Sequence, residues 1–126
     1  MNDLFSDGLT PIHSYTRADA IADGTLVDLS EWASPLEMMG GFTIPVAVTR
    51  AVWCLIEAPK RSGQDTRGRA HDVLWMARVA ARAYRGGTDA FLFTVRIGRR
   101  NQRLAIHIGP GDQGERVATI MLPGES

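Results

Sequence analysis

The sequence has little of what staples or anchors a small protein. Cys54 is the only cysteine in 126 residues. No disulfide can form within the chain, and a reducing cytoplasmic setting is the default. Histidine is also scarce. His13, His71 and His107 each lack a second His or a Cys at ligand spacing. A zinc site takes three or four N, S or O ligands, so neither a metal nor another cofactor is expected. Long apolar runs are absent. The longest, residues 44–56, is broken by Thr49 and Arg50 and is too short and polar to cross a bilayer. The first seven residues carry two acids and no base, unlike a secretory signal.

Net charge is also absent: 14 Lys and Arg balance 14 Asp and Glu. The balance hides a split. Residues 1–59 hold eight acids and two bases, residues 60–103 hold eleven bases and three acids, and residues 104–126 hold one base and three acids. Such polarity suits a protein that shows different partners a basic and an acidic surface. What is present otherwise is ordinary. An apolar fraction of 44% and a charged fraction of 22% indicate one globular domain over residues 1–126, with residues 1–10 expected to be disordered.

The patterning predicts an α+β fold: strand–helix–strand at the N-terminus, two further helices at about 50–57 and 69–85, and a C-terminal three-stranded antiparallel meander. Residues 12–14 read as a short strand. Thr16 is an N-cap with Asp19 at N3, a variant capping box, and Gly24 stops the helix. Residues 25–29 read as the next strand. Ser30 is expected to cap a short helical piece. Pro45, inside the β-branched stretch 42–48, demotes that stretch to an edge strand or irregular structure. Thr49 caps the following helix, and residues 60–68 read as a polar loop. On the wheel of the 69–85 helix, Val73, Met76, Ala77, Ala80, Ala83 and Tyr84 form the apolar arc. Arg78, Arg82 and Arg85 lie opposite, with His71 among them and Trp75 on the flank. Phe91, Phe93, Val95 and Ile97 alternate with polar positions, as a half-buried strand does. Residues 99–102 and the glycine-rich 109–114 read as turns between the last three strands.

Few residues point to chemistry, and none is assigned a catalytic role. Cys54 lies in an apolar helix and reads as a small core residue. The 109–114 loop has the glycines of a phosphate loop, but no Lys-Ser/Thr and no following helix. The remaining signal is arginine. Arg78, Arg82 and Arg85 on the helix, flanked by Trp75, together with Arg99 and Arg100 on the hairpin, form the candidate partner-binding set. Guanidinium groups pair bidentately with carboxylates and phosphates, and an aromatic neighbour anchors an interface or stacks on a base.

Two resemblances accompany these residues. Residues 12–16, with Ala18, Ala20-Ile21 and Gly24-Thr25-Leu26, resemble the first motif of ADP-ribosyltransferases. That likeness implies NAD contacts from His13 and Thr16, with Glu115 or Glu125 as late glutamates. Over nearly its full length the chain is similar to a small bacterial family of unknown function carried by plasmids, integrative elements and phages. The segments that carry this likeness are 12–18, 24–30, 41–42 with 45–49, 72–76, 93–96 and 109–112. It implies a mobile-element setting, not an activity; small proteins of such elements often inhibit host defence, so an anti-CRISPR-like inhibitor that occludes a protein or nucleic-acid-binding surface of a host or CRISPR-associated protein is the expected role. A nucleic-acid-binding accessory protein and a small NAD-using enzyme are the alternatives.

Overall fold

The computed structural model describes residues 14–37, 39–58 and 65–125. The strand expected at 12–14 and the disorder expected over 1–10 lie outside the described residues, apart from Ser14, which has no regular structure. The chain is α+β. Its helices are α1 (Arg17–Asp23), α2 (Ser30–Ala33), α3 (Arg50–Glu57) and α4 (Thr66–Ala80), the last continued by a 3₁₀ turn over Ala81–Ala83. Its strands are β1 (Leu26–Asp28), β2 (Val46–Thr49), β3 (Asp89–Ile97), β4 (Arg100–Pro110) and β5 (Arg116–Met121). They form one mixed sheet in the order β1-β2-β5-β4-β3.

The local rules explain most boundaries. The Thr16 hydroxyl accepts from Asp19 N at 3.0 Å, and the Asp19 carboxylate accepts from Thr16 N at 3.1 Å. Gly24, at φ 84°, ends α1, a conformation that costs other residues a Cβ clash. Thr49 caps α3 by accepting from Val52 N. The β3–β4 hairpin is tighter than expected. Ile97 pairs with Arg100, so Gly98-Arg99 is a two-residue turn and Arg100 already belongs to β4. Antiparallel pairing of β3 with β4 and of β4 with β5 gives the C-terminal meander.

Three expectations need correction. Ser30 does not cap α2. Its hydroxyl donates to Asp28 and accepts from Val46 N at 3.0 Å, tying the end of β1 to the start of β2. Pro45 does not push its segment to an edge. It precedes the ladder, where its missing N–H costs nothing, and its carbonyl accepts from Ala118 N at 2.9 Å. β2 is therefore interior, antiparallel to β1 and parallel to β5. Finally, α4 starts before residue 69. Asp65 is its N-cap, accepting from Gly68 N, which helps offset the helix penalty of Gly68. The helix stops at Ala80, short of Arg85.

Paired positions in a sheet share a face. One face carries Val46, Val48, Phe93, Val95, Leu104, Ile106, Ala118 and Ile120, all buried. α3 and α4 close it with Val52, Ile56, Ala70, Val73, Leu74 and Ala77. Each fully buried Leu, Ile or Val contributes about 1.5–3 kcal/mol of transfer free energy, and Leu74, Ile106 and Ile120 are fully buried. Leu74 falls outside the arc read from the wheel, because α4 buries a wider stripe than its alanines mark. The opposite face carries Leu26, Thr49, Thr119 and Met121 beneath α1, then Ala105, Thr94 and Leu92 towards the open edge. No helix among the described residues is long and apolar enough to cross a membrane.

Candidate functional site

The arginines read from the sequence do not gather in one place. Arg78 on α4 and Arg82 on the 3₁₀ turn that follows it remain exposed, and Trp75 on α4 is 49% exposed. The Trp75 ring stacks on His71 with centroids 6.0 Å apart and planes 15° apart. Arg85 folds back, donating to the Arg82 and Tyr84 carbonyls at 3.1 and 3.2 Å, so it helps cap the helix end. Arg99 and Arg100 lie at the β3–β4 hairpin, at the far end of a nine-residue strand from the α4 C-terminus. At roughly 3.3 Å per residue, β3 spans about 30 Å. The two groups therefore form separate surfaces.

Two arginines of the middle segment serve other ends. Arg69, at the expected start of α4, is only 4% exposed. Its guanidinium donates to the Leu55 and Ala58 carbonyls at 3.0 and 3.2 Å. Those are orphan acceptors at the C-terminus of α3, and a cation there also complements the helix dipole. Arg67 is paired with Glu37 and lies 5.4 Å from the Trp32 ring centroid. Cys54, expected in the core, is exposed instead, because α3 buries the stripe of Val52 and Ile56 and turns Cys54 outward.

What the fold builds around Arg78 is a groove that the sequence reading missed. Three hollows adjoin. The first, about 130 Å³, is lined by Gly40, Trp75, Arg78, Val79 and Arg82. The second, about 150 Å³, shares Arg78 and adds Phe42, Ile44, Tyr84 and Arg116 among its walls. The third, about 390 Å³, shares Tyr84 and Arg116 and runs along Gly87, Gly109, Pro110 and Gly114. The shared residues join them end to end. Arg116 comes from β5, in a segment whose local charge is acidic, and its guanidinium lies 5.1 Å from the Tyr84 ring centroid. Three arginines and three aromatic rings thus line the groove, and none of its lining residues is a carboxylate. Arg78 and Arg82 make no ion pair with any described residue. The glycine-rich loop supplies the groove wall through its backbone. The one sequence signal for it is Arg116, two residues beyond that loop.

A second concavity lies under α1. Asp112, from the glycine-rich loop, accepts from the N–H groups of Arg17 and Ala18 at 2.8 and 2.9 Å, placing an anion at the positive end of α1. The Arg17 guanidinium donates to the Thr119 hydroxyl at 2.6 Å and the Ala118 carbonyl at 2.7 Å. Partial burial lowers its pKa from the ordinary value, against the raising influence of Asp28, Asp112 and Glu115. Between α1, β1 and the start of α3 there opens a cleft of about 370 Å³. Tyr15 stands at its rim and donates to Asp23 at 2.6 Å. That bond holds the Asp23 carboxyl below, and the Tyr15 phenol above, their usual ranges.

The Thr16 hydroxyl is engaged in the capping box, His13 lies outside the described residues, and Glu115 accepts from Gln113 N within its own loop. Glu125 lines the cleft. Among the described residues no group of three or more His, Cys, Asp or Glu could hold a metal ion. Neither a curated protein nor a solved structure gives a match to the chain. A model of the family of unknown function DUF6573 matches residues 1–126, and the chain belongs to that family.

Proposed function

We propose that this DUF6573 member is a non-enzymatic binding protein whose groove between α4 and the β4–β5 loop captures an acidic surface of a partner protein. The observation that carries the reading is the continuity of the groove. Arg82 and Arg78 line its first hollow with Trp75, Arg78 and Arg116 line the second with Tyr84, and no lining carboxylate neutralises them. Arg and aromatic residues are the side chains that dominate interface energetics. Unpaired guanidinium groups gain most from carboxylates that are desolvated on docking. Zero net charge favours a protein partner over unassisted nucleic-acid binding, because a nucleic-acid footprint is usually set in a basic domain.

In the setting of a mobile element, the partner would be a host or CRISPR-associated protein, and docking would inhibit it by covering its working surface. The experiment is affinity capture from host lysate with three proteins: wild type, Arg78→Glu/Arg116→Glu, and Arg99→Glu/Arg100→Glu. The groove pair should lose at least about tenfold of the captured protein, equivalent to roughly 1.4 kcal/mol, and the hairpin pair should keep it. Equal capture by the groove pair and wild type removes the proposal. Tighter binding of a single-stranded oligonucleotide than of any protein, falling steeply with salt, would assign the groove to nucleic acid instead.

A further inference from the structure

The cleft under α1 carries an inference independent of the groove. Its floor is apolar, from Ala20, Leu26, Ala51 and Met121, and its polar groups converge from Tyr15, Thr25, Thr49, Arg50, Thr119 and Glu125. A volume of about 370 Å³ lies near the lower end of the ~300–1,000 Å³ typical of small-molecule sites. The ligand is therefore small. Its chemistry follows from which hydrogen-bonding groups the protein leaves open.

Most are already engaged. The Tyr15 proton goes to Asp23, whose other oxygen accepts from Thr25 N at 2.9 Å. The Tyr15 oxygen lies 3.1 Å from the Thr25 hydroxyl. Thr49 donates to Glu125 Oε1 at 2.9 Å, and the same oxygen accepts from Leu122 N at 2.7 Å. Arg50 uses Nε on the Gly24 carbonyl at 3.0 Å. The absence of a side chain at Gly24 makes room for this arrangement, since a Cβ there would lie 2.6 Å from an Arg50 terminal nitrogen.

Three groups are left. The terminal amino groups of Arg50 make no hydrogen bond with a described residue. The Thr119 oxygen accepts from Arg17, so its own proton is free to donate. Glu125 Oε2 accepts from no described residue. Arg50 and Glu125 line the same cleft without forming an ion pair with each other. A donor cation, a donor hydroxyl and an acceptor anion thus stand open around an apolar floor.

We propose that the cleft binds a free α-amino acid with an apolar side chain. Arg50 and Thr119 receive its carboxylate, Glu125 receives its ammonium group, and Leu26, Ala51 and Met121 take the side chain. A ligand with only one of the two charges would leave a cleft charge facing it unanswered, which is how such sites discriminate.

The test is calorimetric titration of the full chain with L-leucine and L-phenylalanine, alongside N-acetyl-L-leucine, L-leucinamide and L-glutamate. At least one of the two free apolar amino acids should bind saturably. N-acetyl-leucine, without the cation, leucinamide, without the anion, and glutamate, with a charged side chain, should each bind at least about tenfold more weakly. Arg50→Gln and Glu125→Gln should each reduce affinity for the free amino acid by a similar factor. Absence of binding by both apolar amino acids overturns the proposal. So does N-acetyl-leucine or leucinamide binding as tightly as leucine, a comparison that needs no variant to fold. Capture of a partner through Arg78 and Arg116 is a separate readout, so either result can fail without the other.

Discussion

Arg67 and Arg69 lie two residues apart at the start of α4, yet the structure assigns them very different weights. Arg69 is buried and donates to two carbonyls that end α3. Replacing it with Met keeps the apolar stem but removes both hydrogen bonds and leaves Leu55 O and Ala58 O without that donor. A hydrogen bond from a charged group contributes about 1.5–3 kcal/mol, and an unsatisfied buried acceptor costs about 1–3 kcal/mol. Part of this is recovered by no longer burying a charge. Arg69→Met should therefore destabilise by about 3 kcal/mol. For a domain of this length, that lowers Tm by roughly 10 °C. Arg67→Met removes an exposed pair with Glu37 and an exposed cation–π contact, together worth under about 1 kcal/mol. Urea denaturation of both variants, with wild type as reference, measures the difference. A loss below about 1 kcal/mol for Arg69→Met, or equal losses for the two, would refute the assignment of Arg69 as the cap that joins α3 to α4.

Three further outcomes follow from named contacts. Leu74→Ala opens a cavity at a fully buried position on α4 and should cost about 2–5 kcal/mol in the same denaturation assay. Asp112→Ala removes the carboxylate that accepts from two N–H groups at the start of α1. It should cost about 1–2 kcal/mol and speed amide exchange at Arg17 and Ala18. The Tyr15–Asp23 bond contributes a pH dependence at each end of the range. Asp23 is depressed from 3.8 by Tyr15, so its stabilising effect is present above that value and lost as pH falls through its lower folded value. Tyr15 is raised from 10.0 by Asp23, so its contribution is complete below 10.0 and lost as pH rises through its higher folded value. Ultraviolet titration should show a phenol ionising above 10.0 that disappears in Tyr15→Phe and moves down in Asp23→Asn.

Elements governed by local chemistry were legible in the sequence. The Thr16–Asp19 box, the Thr49 cap and the alternation of Phe91 to Ile97 are short-range signals, and the fold class followed from them. Long-range placement was not legible. Pro45 breaks a strand only if it lies within the ladder, and whether it does depends on where β5 pairs. Arg69 reads as one more charge of the basic middle segment until α3 is seen to end beside it. The groove needs Arg116 from β5 beside Tyr84 and Arg78, and segment-by-segment charge counting placed Arg116 in an acidic stretch. The cleft joins residues from Tyr15 to Glu125, a juxtaposition no local pattern encodes.

The groove is tested most directly by nuclear magnetic resonance of the labelled protein during titration with its captured partner, or with a short glutamate-rich peptide as a probe. Shifts should concentrate at the Trp75 indole, Arg78, Arg82, Tyr84, Arg116 and the backbone of Gly109 to Gly114. Shifts confined to Arg99 and Arg100, or to the exposed Leu92–Arg96 face of β3, would contradict the account.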